Sequence, residues 1–109
     1  MLILLDNNVP RGVAQVLTGH IVTEARERSW ATLENGELLS AAEAAGFDVL
    51  LTADKNIRYQ QNLERSKIAI VVLTMGRWAL IRGILAEVAA AVNSAQPGSY
   101  LEIAVKANE

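Results

Sequence analysis

Leu2-Ile-Leu-Leu-Asp-Asn-Asn-Val-Pro10 opens with an unbroken apolar run that stops at an acid. A run without polar alternation suits a strand buried on both faces of a sheet, which implies parallel neighbours and helical crossovers. Asn7, Asn8 and Pro10 read as a turn leading into a helix. Asp6 therefore stands at the carboxyl end of a strand, where open α/β sheets place their ligands. An acid that directly ends a buried strand costs stability unless it is paired or coordinated, so Asp6 is expected to have partners.

Working outward, Pro10 to Thr18 reads as a short helix with Val13, Val16 and Leu17 on one face and Gly19 closing it. His20 to Thr23 is a brief second strand, and Glu24 to Glu34 a polar loop with room for one helical turn. Asn35 is a good N-cap for a helix that packs through Leu38, Leu39, Ala41, Ala42 and Ala45 and ends at Gly46. Asp48 to Thr52 is the third strand, followed by Ala53-Asp54-Lys55-Asn56. A polar helix or turn over Ile57 to Leu63 leads to a fourth strand at Ile68 to Leu73. The longest helix is predicted over Trp78 to Ser94, with Ile81, Ile84, Leu85, Val88 and Val92 on one side. Pro97-Gly98 stops it, and Ser99 to Val105 is an edge strand.

This alternation predicts one α/β domain over residues 1–109, with a mostly parallel twisted sheet and right-handed crossovers. The opening strand is expected to be central, giving a strand order of about 2-1-3-4 with a C-terminal edge strand. The switch point then falls between the first and third strands, and Asp6 and Asp54 each lie just past the end of one of them.

Composition narrows the chemistry. With no cysteine, thiolate catalysis, disulfides and Cys-type zinc sites are excluded, and the single histidine, His20, cannot build a His-rich metal site and is given no role. A metal would need oxygen ligands, which favours Mg²⁺ or Mn²⁺. The net charge of −2 predicts no general attraction to nucleic acid, though ten Lys and Arg allow a local basic surface. No apolar run approaches the ~20 residues of a membrane span, and no signal-peptide pattern is visible, so a cytoplasmic protein is expected.

Asp6 and Asp54, brought to adjacent strand ends, can hold a divalent ion that keeps several waters and binds phosphate oxygens. Glu37, in the first turn of the preceding helix, is the best third ligand, and Asn7, Asn35 and Asn56 offer neutral oxygens. The plainer readings are that Asp54 is an N-cap and that Glu37 favours the helix dipole.

Three segments together carry a resemblance: Leu-Leu-Asp-Asn-Asn-Val-Pro-Arg (4–11), Asn-Gly-Glu-Leu-Leu (35–39) and Leu-Leu-Thr-Ala-Asp-Lys-Asn (50–56). The chain resembles the PIN-like domain proteins, relatives of the VapC-type toxin ribonucleases, from roughly Leu2 to Leu73, and the tail through Tyr100 fits. The resemblance implies a three-layer α/β/α fold and a metal-dependent endoribonuclease holding Mg²⁺ or Mn²⁺. It further implies an RNA substrate and a small DNA-binding antitoxin as partner. Asp6 matches the family's first acid and Asp54 the acid of its T-x-D segment. The chain departs from the pattern at Asn35 and Asn56, where the family offers acids, and Glu37 is placed to substitute for the first of these.

Arg11, Lys55, Arg58 and Arg77 are expected at the same sheet edge, where they could neutralise phosphates, and Tyr59 and Trp78 could stack on unpaired bases. The plainer reading leaves the basic residues solvated and makes Trp30 and Trp78 core or interface anchors, the latter consistent with a homodimer. Two alternatives remain. One is a phosphoacceptor domain resembling response-regulator receivers, with Asp54 as acceptor and Thr74 and Lys106 as switch residues. The other is a non-catalytic interaction module that keeps the fold without the metal.

Overall fold

The computed structural model describes residues 1–33, 35–55, 57 and 67–106. Five strands are found among them: β1 (Leu2–Leu5), β2 (Ile21–Glu24), β3 (Val49–Thr52), β4 (Ala69–Leu73) and β5 (Tyr100–Ile103). They form one sheet in the order β2-β1-β3-β4-β5, and every neighbouring pair is parallel. The helices are α1 (Asn35–Ala44), α2 (Trp78–Ile81) and α3 (Leu85–Asn93), with 3-10 segments at Arg11–Val16, Ala25–Arg28 and Arg82–Ile84.

Successive residues of a strand face opposite sides of a sheet, so the apolar runs of β1, β3 and β4 feed two cores at once. On one face, Ile3, Leu5, Val49, Leu51, Val71 and Leu73 pack under Val13 and Leu17 and under Ile81, Val88 and Val92 from α2 and α3. On the other, Leu4, Leu50, Ile70 and Val72 pack under Leu38, Leu39 and Ala42 of α1, together with Ala25, Phe47 and Ile57. Among the described residues, no helix is long and apolar enough to cross a membrane.

Several local expectations are corrected. The segment after Pro10 is a 3-10 helix ending at Val16, and Gly19, at φ +83°, turns the chain into β2. β2 begins one residue later than expected, because His20 stays in the turn and its Nε2 pairs with Asn93 Oδ1 at 2.7 Å. Glu24 consequently belongs to the strand, and the following residues make one 3-10 turn. Asn35 is the first residue of α1, not the residue before it. The predicted helix from Trp78 to Ser94 is broken at Arg82–Ile84. Gly83 brings no side chain to hold the helix there, and Ile84 takes φ −127°, outside the helical region. Most of the predicted turn at Ile57 to Leu63 lies outside the described residues.

The loops at the carboxyl edge are held close by two glycines. A Cβ on Gly12 would collide with the Trp78 ring, and one on Gly76 would collide with the Asn8 carbonyl oxygen. Trp78 is 37% exposed and only the far end of its ring meets Gly12, so Gly12→Ala is expected to swing the ring outward for under about 1 kcal/mol. A red shift in tryptophan emission with little change in the urea midpoint would be the expected result. An unchanged spectrum would contradict the contact.

Candidate active site

The ladder of β1 carries on past its last residue, since the Asp6 amide donates to the Leu51 carbonyl at 2.9 Å. This fixes the Asp6 carboxylate over the end of β3. Its Oδ1 accepts the Asn7 amide at 2.7 Å, and its Oδ2 accepts the Thr52 hydroxyl at 2.7 Å. Thr52 is fully buried, and its Oγ1 accepts the Asp54 amide at 3.1 Å. A single hydroxyl thus couples the two acids, donating to the carboxylate of one and capping the backbone of the other.

The residues after Asp6 tie down the surrounding loops. Asn7 Nδ2 donates to the Ala31 carbonyl at 2.9 Å, holding the segment between the Ala25–Arg28 turn and α1. Asn8 Oδ1 accepts the Ala53 amide at 2.9 Å, and the Asn8 carbonyl oxygen is the atom that excludes a side chain at Gly76. Asp6, Asn7 and Asn8 therefore each fasten a different part of the edge. Asn7 is expected to offer a neutral oxygen; what the structure uses is its amide nitrogen.

Asp54 is half-buried beyond β3, and Lys55 beside it is exposed. Glu37 is exposed in the first turn of α1, where a negative charge favours the helix dipole. Among the described residues, no three His, Cys, Asp or Glu side chains stand together as a metal-holding group, so Asp6, Glu37 and Asp54 are not gathered as a triad. Asn35 opens α1, Arg77 is exposed just before α2, and Asn56, Arg58 and Tyr59 lie outside the described residues. Trp30 packs edge-on against Phe47, with ring centroids 6.1 Å apart, and carries the Arg28 guanidinium 4.8 Å above its ring. Trp30 is thus an anchor of the α1-side core.

No family model, curated protein or solved structure matches this chain. The case for function therefore rests on the geometry of the edge. Two residues of this edge, Thr52 and Glu24, are not among those expected there. Thr52 carries a faint signal, as the one polar residue closing an otherwise apolar strand. Glu24 carries none, being one acid in a polar stretch. The β1–β2 register sets Glu24 opposite Leu5, beside Asp6, and its Oε1 pairs with Arg11 Nε at 2.9 Å and Arg26 Nε at 3.5 Å.

The donor set at Asp6 suits a hard cation. Each of its carboxylate oxygens accepts one hydrogen bond and has a second acceptor direction, and Mg²⁺ is commonly held by one or two carboxylates with water and phosphate completing its shell.

Proposed function

We propose that the chain is a metal-dependent endoribonuclease of the PIN-like class, with Asp6 and Asp54 as the acids that hold Mg²⁺ or Mn²⁺. The observation that carries the reading is the Asp6–Thr52–Asp54 linkage. It joins the ends of β1 and β3, the two strands between which the chain reverses its direction across the sheet. Open α/β sheets bind ligands at that position. The two cores, one on each face of the sheet, accord with the three-layer arrangement of that class.

The divalent ion would supply charge stabilisation for an RNA phosphodiester and an activated water. The protein's own part is positional. Thr52 holds Asp6 in one rotamer, the Asn7 amide fixes the other carboxylate oxygen, and Asn8 keeps Ala53, and so Asp54, at the same edge. As third ligand or as the base that orients the water, Glu37 would have to approach from the first turn of α1, since it does not stand with the two acids in this structure. A cytoplasmic setting, a small DNA-binding antitoxin and a homodimer belong to the same proposal.

The phosphoacceptor alternative is less well supported. Its switch residue would be Thr74, whose Oγ1 accepts the Val105 amide at 2.7 Å and also contacts the Val105 carbonyl at 3.4 Å. A hydroxyl used to anchor the chain beyond β5 is poorly placed to follow a phosphoryl group on Asp54.

The test compares RNA cleavage by wild type and Asp6→Ala in Mn²⁺, Mg²⁺ and chelator. Loss of a direct ligand is expected to lower the rate by about a hundredfold or more. Mn²⁺ should also raise the melting temperature of wild type and not of the variant, because a ligand bound only by the native state stabilises it. Equal cleavage by the two proteins would sink the assignment. Absence of both cleavage and metal stabilisation would leave the interaction module.

A further inference from the structure

We infer that Arg11 and Arg26, bracketed on Glu24, form a clamp for a backbone phosphate of single-stranded RNA flanking the scissile one. The inference rests on the reading of this edge as an RNA-cleaving site and adds the residues that would hold the strand.

Glu24 is a fixed part of this arrangement. Its side chain is only 18% exposed, and it forms a capping box with Glu27 at the start of the 3-10 turn, where Glu27 Oε1 receives the Glu24 amide at 3.3 Å. The same Oε1 of Glu24 accepts a hydrogen bond from Arg11 Nε at 2.9 Å and lies in ion-pair contact with Arg26 Nε at 3.5 Å.

One oxygen of Glu24 is shared by two guanidinium groups, and the Glu27 carboxylate beside it is turned to the Glu24 amide. Arg11 is hydrogen-bonded and Arg26 paired through Nε, and among the described residues no hydrogen bond from their Nη atoms is found. The two side chains remain 68% and 49% exposed, so the held ends are at the carboxylate and the free ends are in solvent. Planar guanidinium groups with unused Nη donors suit phosphate oxygens, which accept paired N–H bonds.

Position supplies the substrate. Glu24 lies in register with Leu5, about 4.8 Å away on the neighbouring strand, and Asp6 is the next residue. An RNA phosphate on the clamp would therefore sit beside the one facing Asp6. Glu24 is a positioning residue here, and the arginines make the contact.

The experiment measures binding of a short fluorescein-labelled single-stranded RNA by anisotropy, in EDTA and across a NaCl series, so that cleavage plays no part. Each phosphate contact contributes about 0.7 to the slope of log affinity against log salt for a single strand. Arg11→Ala and Arg26→Ala are each expected to reduce the slope by about that amount, and the double variant by about 1.4. Arg11→Lys, which keeps the charge, should retain the slope with weaker binding. Lys67→Ala, an exposed cation at the start of β4 on the opposite edge, should change nothing. Unchanged slopes in the arginine variants, an equal loss in Lys67→Ala, or no salt-dependent binding would each overturn the clamp. Metal-dependent cleavage with unchanged slopes would leave the nuclease reading intact. Slope losses without cleavage would support the clamp and remove the nuclease.

Discussion

Thr52→Val is expected to lower folding stability by about 3 kcal/mol, although it replaces one β-branched side chain by another of nearly the same shape. The packing around this wholly buried position is preserved, so the change isolates the hydroxyl. Two bonds are lost. Asp6 Oδ2 loses its donor at 2.7 Å, a bond to a charged acceptor, and the Asp54 amide loses its acceptor at 3.1 Å. A methyl group would then face a carboxylate, which is worse than an empty contact because it also hinders water. Thr52→Ser restores the hydroxyl and gives up only a methyl group, so it should recover most of the loss. Urea unfolding of the three proteins reads this directly, and a valine variant within about 1 kcal/mol of wild type would show that the hydroxyl carries little. In the ribonuclease reading, the valine variant should also lose cleavage under conditions where it is still folded, since Asp6 would no longer be aligned with Asp54.

Gly76→Ala should cost about 2–3 kcal/mol, for a different reason. The added carbon meets the carbonyl oxygen of Asn8, a backbone atom, with Ala53 Cβ 3.5 Å away on another side. Neither neighbour can rotate aside as Trp78 can from Gly12. The Asn8 backbone must move, and with it the bond from the Ala53 amide to Asn8 Oδ1. The expected result is a lower urea midpoint together with loss of hydrogen-exchange protection at the Ala53 amide. Retained protection and a shift below about 0.5 kcal/mol would mean that the loop after β4 gives way instead.

What could be read from the sequence follows from which interactions are local. The runs Leu2–Leu5 and Ile68–Leu73 are apolar because both faces of a covered sheet are buried, and that demand is written in consecutive residues. The placement of Asp6 at a strand end follows equally directly. The break in the helix after Trp78 was hidden, because Ile81, Ile84, Leu85 and Val88 keep a helical spacing across it while Gly83 merely permits the interruption. The site was legible only in part. Asp6 and Asp54 announce themselves by position, but the hydroxyl that couples them sits on a residue type that closes many strands. The Arg11–Glu24–Arg26 bracket depends on the pairing of Leu5 with Glu24, a tertiary register that no local pattern of charges encodes. Glu37 shows the opposite case, a residue with two local explanations. A first-turn acid is as well explained by a helix dipole as by a metal, and its exposure in α1 leaves both explanations local.

The central place of β1 has a consequence for how the chain is made. Ile3, Leu4 and Leu5 are almost wholly buried between β2 and β3, yet both partners are synthesised after them. Parallel neighbours cannot be supplied by a hairpin, so the most apolar opening segment waits for two crossovers before its second edge is covered. During that interval it has the makeup of a self-associating segment, and a charged residue flanking such a run is the usual gatekeeper against it. Asp6 occupies that flank. Its carboxylate is therefore under two independent demands, one from the nascent chain and one from the finished edge, and an Asp6→Ala protein should be judged by its yield of soluble monomer as well as by its chemistry.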